Sequence, residues 1–135
     1  MIKVGYQGIE GSNAEQAAKD IVALLEMNPV HYIPLIDSGG VVKALQSGDI
    51  DYGVCAVYNS VAGIVKETVN ATDGIDFEIL GESTLNIHHC MFKKNDNVKD
   101  EDLKYVASHI LALKQCEQHL QDLYPQLELI ISEDT

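Results

Sequence analysis

The stretch Asp51-Tyr52-Gly53-Val54-Cys55-Ala56-Val57 decides the fold. It is nearly all apolar, too short for a helix, and it follows Gly48, a natural helix stop. A run without polar alternation suits a strand buried on both faces, as parallel sheets require. Strand-then-helix patterns lie on either side of it. Upstream, Ile2 to Tyr6 reads as a strand running into the turn Gly8-Ile9-Glu10-Gly11. Ser12 and Glu15 make a capping box that opens a helix with the apolar stripe Ala17, Ala18, Ile21, Val22 and Leu25. Asn28-Pro29 ends that helix. His31 to Ile36 reads as a second strand, and Ser38-Gly39-Gly40 begins a short helix carrying Val41, Val42 and Leu45. Downstream, Asn59-Ser60 is expected to cap a helix whose inner stripe is Val61, Ile64, Val65 and Val69.

Beyond the loop Asp73-Gly74-Ile75-Asp76 the pattern changes. Phe77 to Phe92 is expected to be an extended crossing strand between lobes, and Lys93 to Lys99 a polar turn. Asp100 opens a short helical turn, and Lys104 to Ala107 reads as a strand. Ser108 is expected to cap a longer helix bearing Leu111, Leu113, Cys116 and Leu120, closed by Tyr124-Pro125. Leu127 to Ile131 is the last strand. The expected fold is α/β, with two small lobes of mostly parallel sheet flanked by helices. Residues 1–76 would form the first lobe, and residues 77–135 the crossover and second lobe.

The chain carries 21 acidic and 9 basic residues, a formal net charge of -12, and every basic residue is lysine. An acidic surface repels phosphate backbones, so nucleic acid is not an expected partner. With no arginine, carboxylates must be held by lysine, hydroxyls or backbone N–H groups. No apolar run reaches the roughly 20 residues of a membrane span. The start Met1-Ile2-Lys3-Val4-Gly5-Tyr6 lacks the pattern of a signal peptide, so a cytoplasmic location is expected. Cys55, Cys90 and Cys116 are too few and too scattered for a disulfide framework.

Read in order, the strand-to-helix junctions resemble the signature segments of the prephenate dehydratase family. Tyr6-Gln7-Gly8-Ile9-Glu10-Gly11-Ser12 resembles its first loop. Gly48-Asp49-Ile50-Asp51-Tyr52-Gly53-Val54, then Asn59-Ser60-Val61-Ala62-Gly63 with Val65 and Glu67-Thr68, resembles its next block. Gly81-Glu82, Leu85, Ile87 and His88-His89-Cys90 are similar to its crossover. Val106-Ala107-Ser108-His109 and Ala112-Leu113-Lys114-Gln115-Cys116 are similar to its Ser-His segment. Four blocks occur in the family's order. The departures include Ile9 for a proline, Ser12 for a threonine, Tyr58 for a glutamate beside the Asn-Ser pair, and Ile110-Leu111 for Pro-Gln. The family's later Thr-Arg-Phe segment, with its catalytic threonine, and its ACT domain are not among these residues, so the chain reads as a truncated relative. No catalytic residue is therefore assigned.

The resemblance implies a type II periplasmic-binding-protein-like fold and a role in phenylalanine biosynthesis. It implies conversion of prephenate to phenylpyruvate, water and carbon dioxide, with no cofactor and no metal. Activity is expected to be impaired or partner-dependent. The alternative is a catalytically silent binding or assembly module for a small carboxylate or aromatic metabolite. Ser12, Asn59, Ser60, Ser108 and Gln115 are the expected substrate-binding residues. Taken singly, each Ser or Asn is as well explained as a helix cap worth about 1 kcal/mol. His88, His89, Cys90, His109, Cys116 and His119 lack the paired spacing of a tetrahedral metal site. Gly8 and Gly11 lack the Lys-Ser/Thr of a P-loop. Cys55 is expected to be a small buried hydrophobe. Glu101, Asp102, Glu128, Glu133 and Asp134 are read as solvated. Open sheet edges suggest a homo-oligomer.

Overall fold

A computed structural model describes residues 1–132; Glu133 and Asp134 of the acidic tail lie outside the described residues. The chain divides into two compact units, Met1–Ile87 and the part from His88 onward. The boundary expected after Asp76 thus falls inside the first unit. Both units are α/β with parallel main sheets and flanking helices, the class of the type II periplasmic-binding-protein-like fold.

The first unit is built on a three-stranded parallel sheet in the order β2-β1-β3. Strand β1 (Ile2–Tyr6) is central, flanked by β2 (Val30–Pro34) and β3 (Tyr52–Val54). Its side chains alternate between two helical layers. Val4 and Tyr6 point to one face, where Ala18 and Val22 of helix α1 (Asn13–Leu24) complete a core cluster. On the other face, Val41 and Ala44 of helix α2 (Ser38–Ser47) pack with Ile50, Ile33, Leu35 and Cys55. That second face is lined by glycine. Gly5 and Gly53 are register partners across β1 and β3. A Cβ on Gly53 would lie 2.6 Å from Val41 Cγ1 and 2.8 Å from Leu45 Cδ1, so α2 rests against bare backbone.

Local chemistry sets the helix ends as the sequence implies. Ser12 Oγ accepts from Glu15 N at 3.3 Å, and Glu15 Oε2 accepts from Gly11 N at 2.6 Å. The box closes one residue earlier than the standard pattern, onto Gly11 rather than Ser12. Asp37 caps α2, with Oδ1 accepting from Gly40 N at 2.6 Å. Gly48 ends α2 with φ 76, the left-handed geometry that glycine adopts without strain.

Glu15 also pairs with Lys19 at 2.7 Å. That hydrogen bond, followed by the one from Gly11, holds the Glu15 carboxyl below its ordinary range. A depressed carboxyl stabilises the fold above the unfolded-state value and ceases to do so as pH falls through the folded value. Glu15→Gln is therefore expected to lower the urea midpoint near neutrality, with the gap to wild type closing on the acid side. A gap unchanged between about pH 7 and about pH 3 would contradict this assignment.

Three expectations give way here. Asn59-Ser60 does not cap a helix. Instead β4 (Tyr58–Asn59) and β5 (Gly63–Ile64) pair antiparallel as a small hairpin. Helix α3 (Lys66–Thr72) starts only after it, so Val61 and Ile64 lie exposed on the hairpin. Gly63 has φ 78, which no helix interior accommodates. The third strand stops at Val54 rather than Val57 because Ala56 turns to other partners. The crossing strand expected over Phe77 to Phe92 carries no ladder, and residues 75–93 hold no helix or strand.

The second unit pairs β6 (Tyr105–Ser108) in parallel with β7 (Glu128–Ile131), joined through helix α4 (Ile110–Leu123). A short 3-10 turn, Asp100–Asp102, precedes β6, with Lys93 Nζ bonded to Asp100 Oδ1 at 2.8 Å. Leu113 is the buried side chain of α4. Ser108 does not cap α4: it ends β6, opposite Ile131, and His109 Nδ1 accepts from Leu111 N at 3.3 Å.

Candidate functional site

Adjacent parallel strands deliver their following loops to one sheet edge, where α/β proteins place ligands. In the first unit that edge is the exit of β1 and β3. Gln7 follows β1 and donates its backbone N–H to Val54 O at 3.0 Å. Its side chain crosses to the loop after β3, with Oε1 accepting from Ala56 N at 3.2 Å. Ser12 stands at the start of α1 on the loop leaving β1. Asn59 stands on the hairpin leaving β3, and its Oδ1 accepts from Val61 N at 2.9 Å and Ala62 N at 3.0 Å. Ser60 is exposed at the hairpin turn. Three of the five expected residues therefore belong to the carboxyl edge of one sheet.

The other two belong to the second unit. Ser108 is half-buried at the end of β6, and its carbonyl accepts from Ser132 N at 2.9 Å. Gln115 lies on α4, half-buried, with its Oε1 hydrogen-bonded to His89 Nε2. Since the amide oxygen only accepts, the imidazole nitrogen is the donor.

The structure adds a set of polar residues around the first edge that the sequence reading left without a role. Glu67 Oε1 on α3 accepts from Ser38 N at 2.8 Å and from Gln7 Nε2 at 3.4 Å. Thr68 Oγ1 donates to Ala56 O at 2.6 Å. Its proton being committed there, the 2.8 Å contact with Ser38 Oγ makes Ser38 the donor. Ser38 is 0% and Thr68 6% exposed, so these bonds form away from water, where an unmade bond would cost about 1–3 kcal/mol. The Ser38 and Gly40 N–H groups at the start of α2 are taken by the chain's own Glu67 and Asp37. Those two N–H groups of α2 are therefore satisfied within the chain itself.

Burial pushes the Cys55 thiol up, partly offset by a hydrogen bond with Ser38. It stays protonated at neutral pH and packs as a half-buried apolar group, unsuited to nucleophilic work. All three cysteines are free. Among the described residues, no group of three His, Cys, Asp or Glu is placed to hold a metal ion. No helix among them is long and apolar enough to cross a membrane.

Two α/β units, each with a parallel main sheet and flanking helices, put the chain in the type II periplasmic-binding-protein-like class. The family model for prephenate dehydratase matches residues 4–135, and the chain belongs to that family. It is 33% identical over 122 residues to arogenate dehydratase 2 of Petunia hybrida, covering 90% of this chain and 29% of that protein. It is 30% identical over 129 residues to a bifunctional chorismate mutase/prephenate dehydratase of Pseudomonas aeruginosa, covering 96% of this chain and 34% of that protein. It is also 30% identical over 122 residues to arogenate dehydratase/prephenate dehydratase 2 of Arabidopsis thaliana, covering 90% of this chain and 30% of that protein. The chain therefore spans about a third of the length of the curated relatives it matches.

Proposed function

We propose that this chain serves a prephenate dehydratase-like lyase of phenylalanine biosynthesis and supplies residues that hold the substrate. The observation that carries the reading is the family match over residues 4–135. The polar strand exits of the first unit support it. In the reaction, the electron pair of the bond to the ring carboxylate flows into the ring, carbon dioxide leaves, and the protonated 4-hydroxyl departs as water. The protein's task is to fix two carboxylates and to direct a proton to that hydroxyl. Ser12, Asn59 and Ser60 of the first unit supply hydroxyl and amide donors for the first task. With no arginine in the chain, those neutral donors take the part usually given to guanidinium groups.

The same reading includes a cytoplasmic location and self-association. Leu129, Ile130 and Ile131 on β7 stay 43%, 44% and 61% exposed, which suits pairing with a second copy. Purified protein incubated with prephenate should generate phenylpyruvate, followed by its absorbance in alkali, or at least gain thermal stability from prephenate. The absence of both turnover and stabilisation at millimolar prephenate would refute the reading.

A further inference from the structure

Outside the expected substrate shell, the first unit holds a set of hydrogen bonds joining Gln7, Ser38, Ala56, Glu67 and Thr68. They connect four pieces of chain distant in sequence. Gln7 follows β1, Ala56 follows β3, Ser38 begins α2, and Glu67 and Thr68 begin α3. Ala56 is gripped from both sides: its N–H donates to Gln7 Oε1 at 3.2 Å, and its carbonyl accepts from Thr68 Oγ1 at 2.6 Å. Two residues later the chain enters the hairpin carrying Asn59, and Val57 O accepts from Val65 N at 3.0 Å to close the hairpin base. The hairpin itself offers little packing, since Val57, Tyr58, Val61 and Ile64 are each at least 60% exposed. Its position is therefore fixed by its anchors rather than by burial.

We infer that Gln7 and Thr68, with Glu67 and Ser38 behind them, are positioning residues that hold Ala56 and thereby set where Asn59 and Ser60 stand for the substrate. This rests on the proposed function, because it assumes that Asn59 meets the ligand. Thr68 has the tighter role: its hydroxyl is buried, donates to Ala56 O and accepts from Ser38 Oγ. Glu67 does its part from the surface, tying Gln7 to the start of α2.

The test uses the whole chain and three substitutions. Thr68→Val keeps the shape and removes the hydroxyl, Thr68→Ser restores the hydroxyl, and Gln7→Ala removes the other grip on Ala56 from a half-buried loop. Prephenate affinity is read by calorimetric titration. Amide hydrogen exchange at Val61 and Ala62, whose N–H groups bond Asn59, reports the hairpin without any ligand. Thr68→Val and Gln7→Ala should each weaken prephenate binding about tenfold and speed exchange at those two amides, with Thr68→Ser returning both to near wild type. Should Thr68→Val fail to fold, Gln7→Ala carries the comparison. Wild-type affinity and exchange in the folded variants, beside an Asn59→Ala protein that loses prephenate, would overturn the positioning role alone. If Asn59→Ala also binds prephenate normally, the site reading falls and takes this inference with it.

Discussion

Replacing Gly53 by valine should destabilise the first unit by about 3 kcal/mol, the upper end of what overpacking a core costs. Valine is the better strand former, and that preference favours the variant by at most about 1 kcal/mol. The steric term is larger, because the new Cβ alone would sit 2.6 Å from Val41 Cγ1 and 2.8 Å from Leu45 Cδ1. Val41 is 1% exposed and stiff about its first torsion, so it cannot step aside. Urea unfolding should show the loss as a shifted midpoint. Val41→Ala should cost stability in the wild type yet recover part of it in Gly53→Ala, a coupling between contacting residues. Strict additivity of the two changes would mean that α2 does not rest on Gly53.

Asn59→Ala should lower prephenate affinity on the order of a hundredfold, the cost of losing a hydrogen bond to a charged group together with its placement. Part of that loss would come from the turn, since Asn59 Oδ1 accepts from Val61 N and Ala62 N. Asn59→Asp separates the two contributions. An aspartate oxygen can accept the same two bonds, so the hairpin should persist with wild-type amide exchange. Its charge would face the substrate carboxylates, and affinity should fall at least as far as in Asn59→Ala. Wild-type affinity in Asn59→Asp would show that Asn59 shapes a turn and does not meet the ligand.

The three-stranded sheet was legible because its signals are local. The Ile2–Tyr6 strand, the Ser12–Glu15 cap and the Gly48 stop each depend on residues within a few positions of one another. The Asn59 misreading is instructive for the same reason. An asparagine that caps a helix and one that closes a turn both accept from the N–H groups two and three residues on. Only Gly63, four positions later with φ 78, separates them, and the apolar spacing of Val61, Ile64 and Val65 obscured it. Ser108 was misplaced by one residue, because the ladder to Ile131 extends β6 through it and leaves the capping to His109. The Gln7–Glu67–Ser38–Thr68 set lay beyond spacing arguments altogether. Its bonds join residues 29, 30 and 60 positions apart, and only the folded sheet brings them together.

The central place of β1 also bears on how the polypeptide matures during translation. Both sheet neighbours of β1, Val30–Pro34 and Tyr52–Val54, are synthesised after it. Val4 and Tyr6 therefore leave the ribosome as apolar side chains with no sheet to join, and β1 stays half-paired until β3 emerges. At about 5–20 residues per second that interval lasts several seconds, far longer than hydrophobic collapse. The nascent β1 segment is thus a natural client for chaperones that bind short apolar segments, and the exposure ends once Tyr52–Val54 docks.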